Sequence, residues 1–106
     1  MIVINKVSDD ISYTKDDTFR LMLTPEDEGF FEEGMQLRFV IAKTEESEYI
    51  IDKTININSD LYFDVTLTSN ETSKLELADY IYKMILIKNN TVVTRKSGHF
   101  EVKWGA

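Results

Sequence analysis

Apolar residues in this chain recur at every second position, segment after segment, with no ten-residue helical pattern between the segments. In TFRLMLT, Phe19, Leu21 and Leu23 share one face, with Arg20 and Met22 opposite. In QLRFVIAK, Leu37, Phe39 and Ile41 oppose Arg38, Val40 and Ala42. In LYFDVTLT, Leu61, Phe63, Val65 and Leu67 oppose Tyr62, Asp64, Thr66 and Thr68. A strand sends successive side chains to opposite faces, so this period marks half-buried β-strands. DYIYKMILIK is apolar on both faces, and Lys83 assigns Tyr82, Met84 and Leu86 to the inside. EYIIDKTININ is rich in Ile and Thr and suits a strand, its inward face left open. TVVTRKSGHFEVKW aligns Phe100, Val102 and Trp104, and Gly98 within it predicts a bulge or bend. MIVINKV and ISYT are each long enough for a further short strand.

The connections agree with short antiparallel strands. Asn89-Asn90 tolerates the left-handed backbone of a tight hairpin, and KTEESEY and NINSD are polar turns. Thr68-Ser69-Asn70-Glu71 fits the capping box, a hydroxyl cap with an acid three positions on. Lys74, Leu75 and Leu77 extend it into a helical turn over 69–77, with Leu75 or Leu77 packed beneath. Tyr80 then occupies the corner where a tyrosine of immunoglobulin-like sandwiches bonds back to upstream backbone. The expected fold is all-β: an immunoglobulin-like antiparallel β-sandwich of about seven strands, with residues 1–106 as one domain. The helical turn carries the chain from one sheet to the other, and Phe39, Val65, Leu67 and Tyr82 belong to one core.

Net charge is −7, the opposite of the surplus needed to neutralise phosphates, so neither nucleic acid nor an anionic membrane is an expected partner. No run of 18 apolar residues is present, and MIVINKVSDD lacks the charged-then-apolar layout of a signal peptide. Without cysteine there is neither a disulfide nor a thiolate zinc site. Acidic runs at 8–10, 15–18, 25–34 and 45–47 do not fit the spacing of a calcium loop and read as solvated loop charge. No carboxylate pair stands out as a glycosidase acid and base, and His99 is the single histidine, expected to face solvent or a strand edge. With four scattered glycines there is no phosphate loop, and no nucleophile elbow is present. The chain is expected to be no enzyme and to need no cofactor or metal.

Candidate interaction residues are Ile81, Ile85, Ile87, Phe30 and Trp104. The three isoleucines occupy the outer side of a strand, where polar residues ordinarily alternate. Either this face is an interface or MIVINKV folds over it. Of Phe30-Phe31, one ring is expected to cap the open end of the core. Trp104 either packs against a terminal strand or anchors a partner.

The order of these pieces resembles a known module. DDTFRLMLT looks like its opening strand, EEGMQLRFVIAK its second strand, and IIDKTININSDLYFDVTLTSNETSKL its central hairpin and helical corner. ADYIYKMILIKNNTVVTRKSGHFEV is similar to its closing hairpin. This is the immunoglobulin-like domain at the N-terminus of phage baseplate upper proteins, found also in other phage and prophage structural proteins. The resemblance covers residues 11–103, with Asp16 and Ala78-Asp79 standing where that module has glycines. It implies a non-enzymatic phage or prophage structural role, as a tail-tip or baseplate assembly or accessory subunit. Other virion proteins are the implied partners, with a homo-oligomer as a further possibility, in the virion or in the host cytoplasm before assembly. Two alternatives are a sandwich that binds carbohydrate or host surface, and a small acidic phage-encoded regulator.

Overall fold

The structure, a computed structural model, describes residues 2–4, 10–15, 18–23, 31–58 and 61–104. Among these, the elements follow as β1 (Ile2–Ile4), β2 (Ile11–Thr14), β3 (Phe19–Leu23), β4 (Met35–Ala42), β5 (Tyr49–Asn56), β6 (Phe63–Leu67), α1 (Ser69–Thr72), β7 (Asp79–Lys88) and β8 (Thr91–Lys103). A three-stranded sheet, β1-β3-β6, faces a five-stranded sheet, β2-β8-β7-β4-β5. The fold is the expected immunoglobulin-like sandwich, with eight strands among the described residues. Pairing departs from purely antiparallel at two edges. There β1 runs parallel to β3 and β2 parallel to β8. Alternation has the same period in either direction, so the residues alone do not reveal this.

The alternating faces fall as read. Phe19, Leu21, Leu23, Leu37, Phe39, Ile41, Phe63, Val65, Leu67, Tyr82, Met84 and Leu86 are all buried in one core. Aromatic rings join the sheets. Phe19 of β3 lies 6.0 Å from Phe39, 5.5 Å from Phe100 and 5.8 Å from Tyr13, rings supplied by β4, β8 and β2. Such contacts each stabilise beyond the area these rings bury. Phe31 closes one end, edge-on to Phe63 at 5.1 Å. One ring of the Phe30-Phe31 pair therefore does cap the core, while Phe30 lies outside the described residues.

Three sequence expectations are corrected. Leu61 is exposed, because β6 begins only at Phe63 and Leu61 sits at φ 61° in a turn closed by bonds between Asn58 and Tyr62. Gly98 pairs in register opposite Tyr82, and the irregularity falls instead at Leu86/Ile87, beside the hairpin. Trp104 follows the last residue of β8 and is 76% exposed, so it does not continue the Phe100–Val102 face. The hairpin itself is as expected, with Asn89 and Asn90 at φ 52° and 61°, a primed turn that matches strand twist.

The corner between β6 and β7 is built from its own polar groups. Thr68 accepts from the Glu71 N–H at 3.2 Å, and the Glu71 carboxylate accepts from the Thr68 N–H at 2.9 Å. The helix lasts four residues rather than reaching 77, and the chain then unwinds through two further turns. Leu75 is fully buried beneath it, whereas Leu77 is half-exposed. The Glu76 N–H donates to the Tyr80 hydroxyl at 2.9 Å, so Tyr80 is the corner tyrosine.

Edge strand β5 is secured to the opposite sheet by a charge pointing inward. Its inner row runs Ile51, Lys53, Ile55, the isoleucines packing on the core. The Lys53 ammonium donates to the Thr66 carbonyl at 2.6 Å and to the Glu71 carboxylate at 3.0 Å. Glu71 is therefore shared by the cap and by a bridge between sheets. Its carboxyl is held below the ordinary glutamate range, first by the Thr68 backbone N–H and then by Lys53.

Three outcomes are expected from these contacts. Phe19→Ala removes the ring shared by both sheets and should cost about 3–5 kcal/mol in denaturant unfolding. A loss under about 1 kcal/mol would remove Phe19 from that central role. Tyr80→Phe should cost about 0.5–1.5 kcal/mol through one lost hydrogen bond, with secondary structure unchanged by circular dichroism. For Glu71, the lowered folded pKa means its stabilisation is complete above the ordinary glutamate range and fades as pH falls through the folded value. Glu71→Gln preserves the cap pattern, so the stability gap to the parent should be largest near neutrality and close as pH falls below the ordinary glutamate range. A gap independent of pH would rule out the ionised bridge.

Candidate interaction face

Alternation on the five-stranded sheet leaves a defined set of side chains on its outer surface. Along β7 these are Ile81, Lys83, Ile85 and Ile87, opposite Ala42, Val40, Arg38 and Gln36 of β4. On the other flank, Ile81 faces His99, Lys83 faces Ser97 and Ile85 faces Arg95 of β8. The structure thus brings three of the five sequence candidates, Ile81, Ile85 and Ile87, onto one row. Each is half-buried rather than open. Trp104 stands apart, beyond the end of β8.

Two outward residues, Val40 and Ala42, are nevertheless buried, at 1% and 3% exposure. Arg38 crosses diagonally to Asp52, the residue opposite Val40, with bonds of 2.8 and 2.5 Å, and its guanidinium lies 5.3 Å over the Tyr49 ring. Asp52 pairs with Val40 and Tyr49 with Ala42, so this polar cluster lies beside both. Hydrogen bonding to Asp52 raises the Arg38 pKa, and the same bond lowers that of Asp52. The other sheet has a similar diagonal, Arg20 to Asp64 across β3 and β6, at 2.6 Å.

Segment β1 does not cover this face. Its backbone pairs with β3 in the three-stranded sheet, so the expectation of an N-terminal cover over β7 fails for Ile2–Ile4. The remainder of MIVINKV lies outside the described residues.

Between the strands is a shallow groove of about 370 Å³, lined by Arg38, Tyr49, Lys83, Ile85, Arg95, Lys96 and Ser97. Ile85 and Tyr49 are its apolar lining, and the remaining residues are basic or polar. Lys96 is opposite Met84 and alternates to the inner side, so Arg38, Lys83 and Arg95 supply the outward charge. Arg38 is paired with Asp52, whereas Lys83 and Arg95 have no carboxylate partner among the described residues. The sequence reading missed this groove. Four strands contribute to it, and the spacing of these cations along the chain carries no motif.

Chemically, the face offers cations around an apolar centre. Among the described residues no group of three or more His, Asp or Glu is placed to hold a metal. His99 is exposed, and its backbone N–H donates to Asp10 at 3.2 Å. The described helix is far too short to cross a membrane.

No protein-family model and no curated protein sequence matches the chain. Solved structures do match it in fold. The extracellular domain of the voltage-gated sodium channel beta4 subunit, which forms parallel homodimers that explain its role in cell–cell adhesion, is similar at TM-score 0.59 and 13% identity, over 100% of this chain and 99% of that one. The N-terminal domain of phage TP901-1 ORF48 is similar at TM-score 0.56 and 8% identity, over 96% of this chain and 93% of that one. At such identities the likeness is one of fold: an immunoglobulin-type β-sandwich, shared along its whole length with an adhesion domain and with a domain of a phage protein.

Proposed function

We propose that this chain is a non-enzymatic structural module of a phage or prophage particle, a tail-tip or baseplate subunit attached to neighbouring virion proteins. The observation that carries the reading is the fold likeness to the phage domain, over 96% of this chain, although an adhesion domain shares the fold as fully. The sequence resemblance over residues 11–103 points the same way. The outer face of the five-stranded sheet is the attachment surface, because its half-buried isoleucine row has no cover from β1. A small buried apolar centre with a charged rim is the ordinary build of a protein–protein contact. The chain resides in the particle, and in the host cytoplasm before assembly.

The two alternative readings have less support in the geometry. Sugar recognition needs an open aromatic platform beside polar groups; the Tyr49 ring lies under Arg38, and the exposed Trp104 stands apart from the groove. A mimic of nucleic-acid charge needs carboxylates arrayed on one face, whereas the groove concentrates cations there. Particle composition tests the proposal. Particles purified on a density gradient from the phage or lysogen that encodes the chain should contain it at a fixed copy number relative to the tail proteins. Its presence in the infected cell but absence from purified particles would refute the assignment.

A further inference from the structure

The groove on the outer face has a complement elsewhere on the same chain. Although the protein carries 19 acids against 12 bases, Arg38, Lys83 and Arg95 converge around Ile85. The turn joining β4 to β5 exposes Glu45, Glu46 and Glu48, none paired with a cation among the described residues. A Thr44–Ser47 hydroxyl bond of 2.7 Å and a backbone bond from Ser47 to Thr44 hold that turn in shape. It leads directly into Tyr49, which lines the groove, so turn and groove are neighbours at one side of the same sheet.

We propose that the groove receives the Glu45–Glu48 turn of a second copy of this chain. The contact is reciprocal, each groove taking the other copy's turn, as a two-fold interface requires. Lys83 and Arg95 meet the carboxylates, while Ile81, Ile85 and Ile87 supply the apolar centre. Neither cation can be satisfied as well by a neutral partner, and a net charge of −7 keeps other approaches of two copies repulsive. Charge therefore selects the register of the dimer. This inference rests on reading the face as an interface, but not on the assignment to a phage particle.

Analytical ultracentrifugation of the full chain tests it. A dimer is expected at low salt, with its dissociation constant rising at least about tenfold by 0.5 M NaCl as screening shortens the reach of the charges. A groove-reversed chain (Lys83→Glu with Arg95→Glu) and a turn-reversed chain (Glu45→Lys, Glu46→Lys, Glu48→Lys) should each be monomeric. Mixed in equal amounts, they should associate, because every groove then meets a turn of opposite sign. A control carrying Lys74→Glu with Lys103→Glu changes net charge as much as the groove reversal and should still dimerise. Should the reversed groove fail to fold by circular dichroism, Lys83→Gln with Arg95→Gln replaces it. A full chain monomeric at low salt, reversed chains that still dimerise alone, or a mixture that stays monomeric each overturns the pairing. If Ile85→Lys gives a folded monomer while the charge reversals do not, the face remains an interface and the groove–turn contact is wrong.

Discussion

Phe19 is the ring on which the two sheets meet. It belongs to the three-stranded sheet, yet its neighbours Phe39, Phe100 and Tyr13 all come from the five-stranded one. A sandwich of this kind has no covalent link between layers here, since the chain lacks cysteine. Separation of the layers is resisted mainly by apolar burial, which scales with the area removed from water. Rings bury the most area per residue and fix relative orientation as well. The strand faces follow from that centre: a residue on the same side as Phe19, Phe39 or Tyr82 goes into the core, and its neighbour goes to the outer side of its sheet.

The periphery of the core depends on polar contacts. At the open side, Lys53 reaches from β5 to the Thr66 carbonyl and Glu71, so an edge strand, the helical cap and the opposite sheet share one cluster. An inward charge on an edge strand also discourages pairing with a foreign strand. The Tyr80 hydroxyl satisfies the Glu76 N–H at the same corner. These bonds add little net energy each, but an unmade one would leave a partly buried group without a partner.

The two outer faces share one device and differ in the rest. Each has an Arg–Asp pair set diagonally across neighbouring strands, Arg20–Asp64 and Arg38–Asp52. Among the described residues, the five-stranded sheet also carries a row of isoleucines and two outward cations that no described carboxylate neutralises. The functional reading therefore falls on that face. The fold, which an adhesion domain and a phage domain share, does not by itself choose a function.

Much of the architecture was legible in the residues. The period of two identified the strands, the Thr68–Glu71 pattern the corner, Asn89-Asn90 the hairpin and Tyr80 the corner tyrosine. Each is a local signal, set by backbone sterics or by side chains within four positions of one another. Local signals also misplaced Leu61 and Trp104, because alternation does not say where a strand stops. Tertiary structure alone decided which way β1 and β2 run, which of Leu75 and Leu77 is buried, and that Lys53 points inward. The candidate site divides in the same way. Ile81, Ile85 and Ile87 were visible as a break in alternation along one strand, whereas the groove around them was not. Arg38, Lys83 and Arg95 lie on three strands, and residues that far apart in sequence become neighbours only through the pairing register.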